Sequence, residues 1–375
     1  MVDLKPYTIL HTIETGGPGG AETVLLELAS RLDPNRFRSI ALLPGGHWLP
    51  QQLESRNIPV IIAKSDAWYD LSLLRAMAKT IRKENVDLIH SHLADQNFYS
   101  CLIGCLTGCK AIATYHGTLR LSGRNGLRRS IKSWVVRHSA VAVVVVSDYL
   151  QQSFKAAGFP AQKMVRIYNG VDLDRFSPHQ GGRLRAELSL EGTAKLVGMV
   201  ANLRRSKGYE HFVQAARQVA DCIPEARFIA VGEIEETIAE RMRELLRRLG
   251  LEERFFLLGF RSDIPQILRD LDVFVLSSTD EGLSIATIEA MAAGKPVVVT
   301  RSGGPQEIVE DGETGFLVPP ADPEALAAKI CEVLRHPDVG ARLGARARGE
   351  VVGRFTLTKM VGEYESLYER CLEAD

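Results

Sequence analysis

The sequence predicts an α/β protein made of two doubly wound parallel sheets in tandem. Three observations carry that expectation. The 375 residues exceed what one hydrophobic core usually supports. Short, apolar, β-branched runs alternate with helical-period segments along the whole chain, the pattern of strands covered on both faces. The alternation breaks once, at "DLDRFSPHQGGRLRAELSL", where Pro178 and Gly181-Gly182 mark a linker, and then resumes.

The first series of strands is expected at 7–13, 38–44, 58–63, 87–93, 110–116, 140–147 and 164–171. The second is expected at 196–202, 227–232, 255–260, 272–278, 296–300 and 315–320. Helices such as "AETVLLELASRL" and "LSLLRAMAKTIRKEN" lie between strands, and 355–374 has helical period. Apolar residues make up 45% and charged residues 25%, the balance of an ordinary soluble globular protein. The zero net charge hides a polarity: residues 1–180 carry 21 Lys and Arg against 14 Asp and Glu, and 181–375 carry the opposite excess. The front half is therefore the one expected to attract anionic surfaces. Six cysteines without a secretory leader argue against a disulfide framework and for a cytoplasmic location. Cys101, Cys105 and Cys109 are expected on one helix face as packing residues. The longest apolar run, 140–146, is too short to span a bilayer, which takes about 20 residues.

Open α/β sheets bind ligands beyond the carboxyl ends of their strands. The opening turn, "TGGPGG" at 15–20, sits at such an end. It meets neither phosphate fingerprint: Glu22 stands where G-x-G-x-x-G needs its third glycine, and no Gly-Lys-Ser/Thr closes a P-loop. The densest chemistry lies at 277–318. There a strand delivers two acids, then Gly282, then a helix start near Leu283 whose backbone N–H groups can take a phosphate oxygen or a sugar hydroxyl. Glu281 stands at its mouth and Glu289 farther along; carboxylates accept the paired hydrogen bonds of vicinal hydroxyls. A second glycine turn, Gly303-Gly304, follows the next strand. His90 and His92 are expected on opposite faces of their strand, and so not as paired metal ligands. Asp172-Leu173-Asp174 and Asp270-Leu271-Asp272 mimic a metal-binding DxD; spacing alone makes them weak candidates.

Glu281 and Glu289 with seven residues between them, "EAMAAGKPVV" and the later "GG" and "E" resemble the retaining, two-domain glycosyltransferases of the family-4 type. "GGPGGAE", "TYHG" at 114–117, "VSDYLQQSF" at 147–154, "IYNGVDLDRF" at 167–176 and "LRRSKG" at 203–208 extend the resemblance over nearly the whole chain. It implies a GT-B fold, with two Rossmann-like domains facing a cleft. The N-terminal acceptor domain is expected at 1–175 and the C-terminal donor domain at 190–354. The helix at 355–375 is expected to pack back on the N-terminal domain. It also implies roles: Glu289 on the nucleotide ribose, Glu281 on the donor sugar with the Gly282, Leu283 and Ser284 backbone, and Lys207 on the donor diphosphate. His116 would meet the sugar, and Gly17, Gly19 and Gly20 would lie against the diphosphate and acceptor. Relatives carry Gly-Arg-Leu where this chain has Ala201-Asn202-Leu203, so Arg204 or Arg205 is expected to replace that arginine beside Asn202. "EGLS" also stands in place of the commoner "EGFG".

The reaction so implied moves a hexosyl unit from a UDP- or GDP-sugar to an acceptor hydroxyl with retention, in polysaccharide or glycolipid synthesis. No metal or other cofactor is expected. Two alternatives stay open: a weakly active sugar-nucleotide-binding subunit, and a nucleotide-sugar epimerase of the same build. Between Gln96 and Ser147 there is no Asp or Glu, while Lys110, Arg120, Arg124, Arg128, Arg129, Lys132 and Arg137 interleave with apolar residues. The stretch 110–137 is thus a candidate for docking on an anionic membrane, where a lipid-linked acceptor would be reached. A solvated basic face, or a lining for an anionic acceptor, fits it too. The basic residues lack interleaved stacking aromatics, so no nucleic acid is expected as a partner.

Overall fold

In the computed structural model, which describes residues 5–64, 70–119, 126–178 and 182–373, the chain divides into two units. The first comprises 1–170 with 357–375, and the second comprises 171–356. Arg120, Leu121 and Arg124 of the basic stretch, and Gly181 of the linker, lie outside the described residues.

Among the described residues, the first unit holds a seven-stranded sheet: β1 (Tyr7–Ile13), β2 (Phe37–Leu43), β3 (Val60–Ile62), β4 (Leu88–His92), β5 (Lys110–Tyr115), β6 (Ala142–Val145) and β7 (Met164–Arg166). All its pairings are parallel, in the order β3-β2-β1-β4-β5-β6-β7. The order reverses between β1 and β4, which puts a switch point at their carboxyl ends. The second unit repeats the design with β8 (Lys195–Val200), β9 (Ala226–Val231), β10 (Phe255–Leu257), β11 (Val273–Leu276), β12 (Val297–Thr300) and β13 (Phe316–Val318), in the order β10-β9-β8-β11-β12-β13. Here the switch point lies between β8 and β11. Central strands are buried along their length, β6 and β11 throughout, as helices on both faces require.

The terminal helix Leu357–Glu373 belongs to the first unit. It buries Tyr364 and Tyr368 completely. Glu365 accepts from Asp33 N at 2.8 Å and from Arg36 Nη1 at 3.0 Å, and Tyr368 OH lies 2.6 Å from His90 Nδ1. The chain is handed over at the end of the second unit, where Val171 N donates to Phe355 O at 2.9 Å.

Several expectations change. The helix carrying Cys101 and Cys105 ends at Thr107, and Gly108 takes a left-handed φ of 76°. Cys109 therefore falls outside the helix, and Cys105 is exposed while Cys101 is buried, so the three share no face. The DLD sequences act as pins. Asp172 Oδ1 accepts from Asp174 N and Arg175 N at 3.0 and 3.1 Å. Asp270 Oδ2 accepts from Leu184 N at 2.7 Å, and Asp272 Oδ2 takes Leu196 N at 2.7 Å and pairs with Arg185 at 2.8 Å.

Candidate active site

In the second unit, β11 runs into Ser277-Ser278-Thr279 and delivers Glu281 to the carboxyl edge of the sheet. Glu281 N donates to Ser302 O and Gly304 N donates to Glu281 O, at 2.8 and 2.9 Å, so the two glycine turns expected from sequence lie zipped together. That approach requires glycine at 304: a Cβ there would stand 2.6 Å from Gly282 C and 2.7 Å from Leu283 Cα. The helix Ile285–Ala292 begins after Ser284, two residues later than expected, and Ser284 Oγ caps it by accepting from Thr287 N at 3.3 Å. Glu289 sits on its second turn, half-buried.

Lys207 comes from the other side of the switch point. A single 3-10 turn, Arg205–Lys207, follows β8, and Gly208 closes it at φ 65°. Thr279 N donates to Ser206 O at 2.8 Å, and Ser277 Oγ bonds Lys207 O and Gly208 O, each at 3.0 Å. The result is an ion pair between Lys207 Nζ and Glu281 Oε1, with side chains 24% and 10% exposed. Ser278 Oγ holds the same carboxylate oxygen at 2.9 Å. A paired lysine and carboxylate at a strand edge, beside a capped helix start, can grip a diphosphate and hydroxyls together. Arg204 and Arg205 are both exposed beside it. Asn202 uses its Oδ1 to accept from Glu233 N at 3.0 Å, joining the loops after β8 and β9.

In the first unit, the opening turn leads into the helix Gly20–Arg31. Gly16 lies against the Gly45-Gly46 loop after β2, where a Cβ would meet Gly46 Cα at 3.4 Å, and Gly16 O accepts from Leu49 N at 3.0 Å. Glu22 folds back over the helix start, accepts from Thr15 Oγ1 and leaves no room for a side chain at Gly19. Part of this glycine content therefore serves backbone contact.

At the carboxyl ends of β4 and β5 the structure gathers histidines. His90 and His92 face the same side, their ring centroids 4.3 Å apart, contrary to the opposite-face expectation. Alternate residues of a strand share a face, so the expectation misapplied the period of two. His11, His90 and His92 are completely buried. Burial pushes the His11 imidazole down to about 3 and that of His116 down to about 4, and holds His90 and His92 well below the ordinary range. All four are neutral near pH 7. Nitrogens of His11, His90 and His92 lie within 4.8 Å of one another. Yet His90 already uses Nδ1 on Tyr368 OH and Nε2 on Thr114 Oγ1, at 2.6 and 2.7 Å. No carboxylate or thiolate joins the group among the described residues, so a dication there would lack the anionic partner that burial demands. The sequence singles out His116, His90 and His92 but misses His11, the gathering of the imidazoles on one face, Tyr364, Tyr368 and Ser278; the two tyrosines at i and i+4 of an amphipathic last helix are the available sign.

The basic stretch is less free than its sequence implies. Lys132 is 12% exposed and pairs with Asp95 at 2.8 Å, and Arg137 donates to Gly158 O at 3.2 Å. The helix Gly126–Ser139 instead shows an apolar face: Leu127, Ile131 and Trp134 are 78%, 51% and 55% exposed. No helix of the described residues is long and apolar enough to cross a membrane.

The sequence pattern of Glycosyl transferases group 1 matches residues 182–350, and that of Glycosyltransferase Family 4 matches 18–175. A Salmonella typhimurium (strain LT2) relative named for colanic acid biosynthesis, WcaL, is 32% identical over 92% of this chain and 84% of its own. The UDP-Gal:alpha-D-GlcNAc-diphosphoundecaprenol alpha-1,3-galactosyltransferase of Escherichia coli is 25% identical over 86% of this chain and 85% of its own. Among solved structures, Anabaena Alr3699/HepE in complex with UDP-glucose is 28% identical, with a TM-score of 0.88 over 96% of this chain and 99% of that one. With two Rossmann-like sheets and matches to both halves, the chain belongs to the family-4, group 1 glycosyltransferases of GT-B fold.

Proposed function

We propose that the protein transfers a hexosyl unit from a UDP-sugar to an acceptor hydroxyl with retention and without a metal. The observation that carries this reading is the Lys207–Glu281 pair at the carboxyl edge of the second sheet, beside the helix start at Ser284. The likeness to HepE with UDP-glucose and to a UDP-Gal-dependent relative supports uridine over guanosine.

In this reading Lys207, with Arg204 or Arg205, holds the diphosphate and stabilises the charge that builds on it as the sugar departs. Glu289 takes the ribose hydroxyls. Glu281 and the Gly282–Ser284 backbone orient the hexose, and His116 adds a hydrogen bond to it. The acceptor hydroxyl passes its proton to the leaving phosphate on the same face, so positioning and fixed positive charge supply the catalysis. Gly17, Gly19 and Gly20 are assigned to the acceptor, because the Glu22 carboxylate over that helix start suits a hydroxyl better than a phosphate.

Thermal shift against UDP, GDP and ADP tests the nucleotide, since stabilisation grows with ligand concentration only for a true ligand. Turnover of UDP-hexoses with and without EDTA, and the anomeric configuration of the product by NMR, test the rest. Lys207→Ala should collapse transfer; near-normal turnover by that variant overturns the assignment.

For the acceptor we propose a lipid-linked glycan at an anionic bilayer, with Leu127, Ile131 and Trp134 entering the headgroup boundary. Spacings of four and three residues put them on one helix face, and the stretch from Gln96 to Ser147 offers no acid to repel that surface.

A further inference from the structure

His92 ends β4 and His116 follows β5, so both stand at the carboxyl edge of the first sheet. His92 Nδ1 lies 3.0 Å from His116 Nε2, and the rings are within 18° of parallel. With both imidazoles neutral, that hydrogen bond needs one protonated and one bare nitrogen. It therefore couples the two tautomers. Only two arrangements exist. Either His92 donates from Nδ1, leaving His92 Nε2 bare and the His116 proton on Nδ1, or His116 donates from Nε2, leaving the His92 proton on Nε2.

His92 Nε2 and His116 Nδ1 are both buried without a hydrogen-bond partner, so each arrangement leaves one N–H unmatched. The cost differs between the two places. His92 is sealed completely, among the equally sealed His11 and His90, and its Nε2 makes no hydrogen bond. His116 is half-buried, and its neighbour Gly117 has open space where a side chain would be. An N–H there stands at the exposed margin of the sheet and not inside its sealed core. An unmatched buried donor costs about 1–3 kcal/mol, and such N–H groups are rare, which favours the arrangement with the proton at the His116 end. Leu93, immediately after His92, has φ 69°, a left-handed value that is costly for leucine. Leu93 N bonds Thr114 O at 3.2 Å and Leu93 O takes Asn97 N at 2.9 Å. The chain thus holds a strained turn at the point that sets the His92 ring beside His116.

We infer that His92 is a positioning residue that fixes His116 as its Nδ1–H tautomer, so that His116 offers the substrate a hydrogen-bond donor and not a base. The partner it selects is an acceptor oxygen, such as a hydroxyl of the transferred sugar. That last step rests on the reading of His116 given above; the tautomer assignment does not.

The test has two arms. In the first, histidine ring nitrogens of the unmodified full chain are labelled with 15N, and their tautomers are read by long-range proton–nitrogen correlation. Both His92 and His116 should carry their proton on Nδ1, and His116 should move to the Nε2–H form in His92→Phe, which keeps a flat ring but no donor. A wild-type His116 protonated on Nε2 overturns the assignment, with no variant required. In the second arm, the KM for the UDP-sugar is compared with the inhibition constant of UDP, which lacks the sugar. His92→Phe should raise the KM about 3- to 10-fold, the worth of one neutral hydrogen bond, with UDP inhibition unchanged. His92→Asn, whose amide nitrogen falls near the lost Nδ1, should recover most of it. Equal shifts in both constants, or no shift in either, overturn the role of His92 in substrate positioning while leaving UDP-dependent transfer to stand or fall on its own assay.

Discussion

A diphosphate that claims Lys207 must compete with the carboxylate already paired to it, and this makes an uncommon prediction for Glu281→Gln: UDP binds more tightly while hexosyl transfer falls. Ser278 Oγ holds Glu281 Oε1 at 2.9 Å, so the carboxylate stays in place and the lysine is the partner that must be shared. The glutamine oxygen can keep the Ser278 bond, which makes the change nearly isosteric. Two unit charges about 4 Å apart interact with roughly 4 kcal/mol at an effective dielectric near 20. Solvent reaches the lysine, whose side chain is 24% exposed, and its three donors can serve two anions at once. About 1–2 kcal/mol of that competition is therefore expected in the binding constant, a roughly 5- to 30-fold gain in UDP affinity. Titration calorimetry with UDP measures it, and the gain should shrink as salt is added. Transfer from the UDP-sugar should fall at least roughly tenfold, because a charge-assisted hydrogen bond to the sugar is lost. Lys207→Met is the contrast, weakening UDP by about tenfold or more by leaving Glu281 facing the diphosphate alone. If Glu281→Gln weakens UDP as much as Lys207→Met does, the two groups do not compete for one anion and the reasoning fails.

Gly304→Ala should lower stability by about 1–3 kcal/mol through overlap with the Gly282–Leu283 backbone, seen as a reduced melting temperature, with transfer falling because the Glu281 turn is displaced. The buried histidines predict acid sensitivity of the first unit. Their folded pKa values lie below the unfolded value near 6.5, so the unfolded chain alone binds protons as pH falls. Stability then drops from about pH 6.5 toward 4, at roughly 1.4 kcal/mol per pH unit for each such histidine. Urea denaturation followed by tryptophan fluorescence checks this, and His11→Gln should reduce the slope by about one such increment. For the membrane face, exchanging Leu127, Ile131 and Trp134 for serine should weaken flotation on anionic liposomes by roughly tenfold or more, with activity on a soluble acceptor unchanged; equal flotation removes the docking role.

How far the sequence could be read follows from which forces are local. Strands such as β6 and β11 were legible because burial on both faces leaves them apolar throughout, and that pattern is contained within each strand. Their ends were read too long: polar residues such as His116 and Ser277 close the apolar runs, but hydrogen-bonded pairing stops before them. The Glu281 turn was legible as a chemical cluster because Glu281 and Gly304 are near neighbours in the chain. The ion pair was not, since Lys207 and Glu281 are 74 residues apart and only the family resemblance tied them to one ligand. Glycine carried less information than it first offered. The same absent side chain serves a ligand at one position and another backbone at the next, and Gly16 against Gly45-Gly46 shows the second use inside a turn that reads as the first. The histidines carried more. Once the period of two is applied correctly, "HSH" on a buried strand demands partners for two imidazoles on one face. The structure supplies them from β5 at Thr114, from His116 just after it, and from a helix 278 residues away at Tyr368. A polar pair on a buried strand is thus a statement about unseen neighbours, because a sealed imidazole with no hydrogen bond at all carries a desolvation cost that nothing offsets.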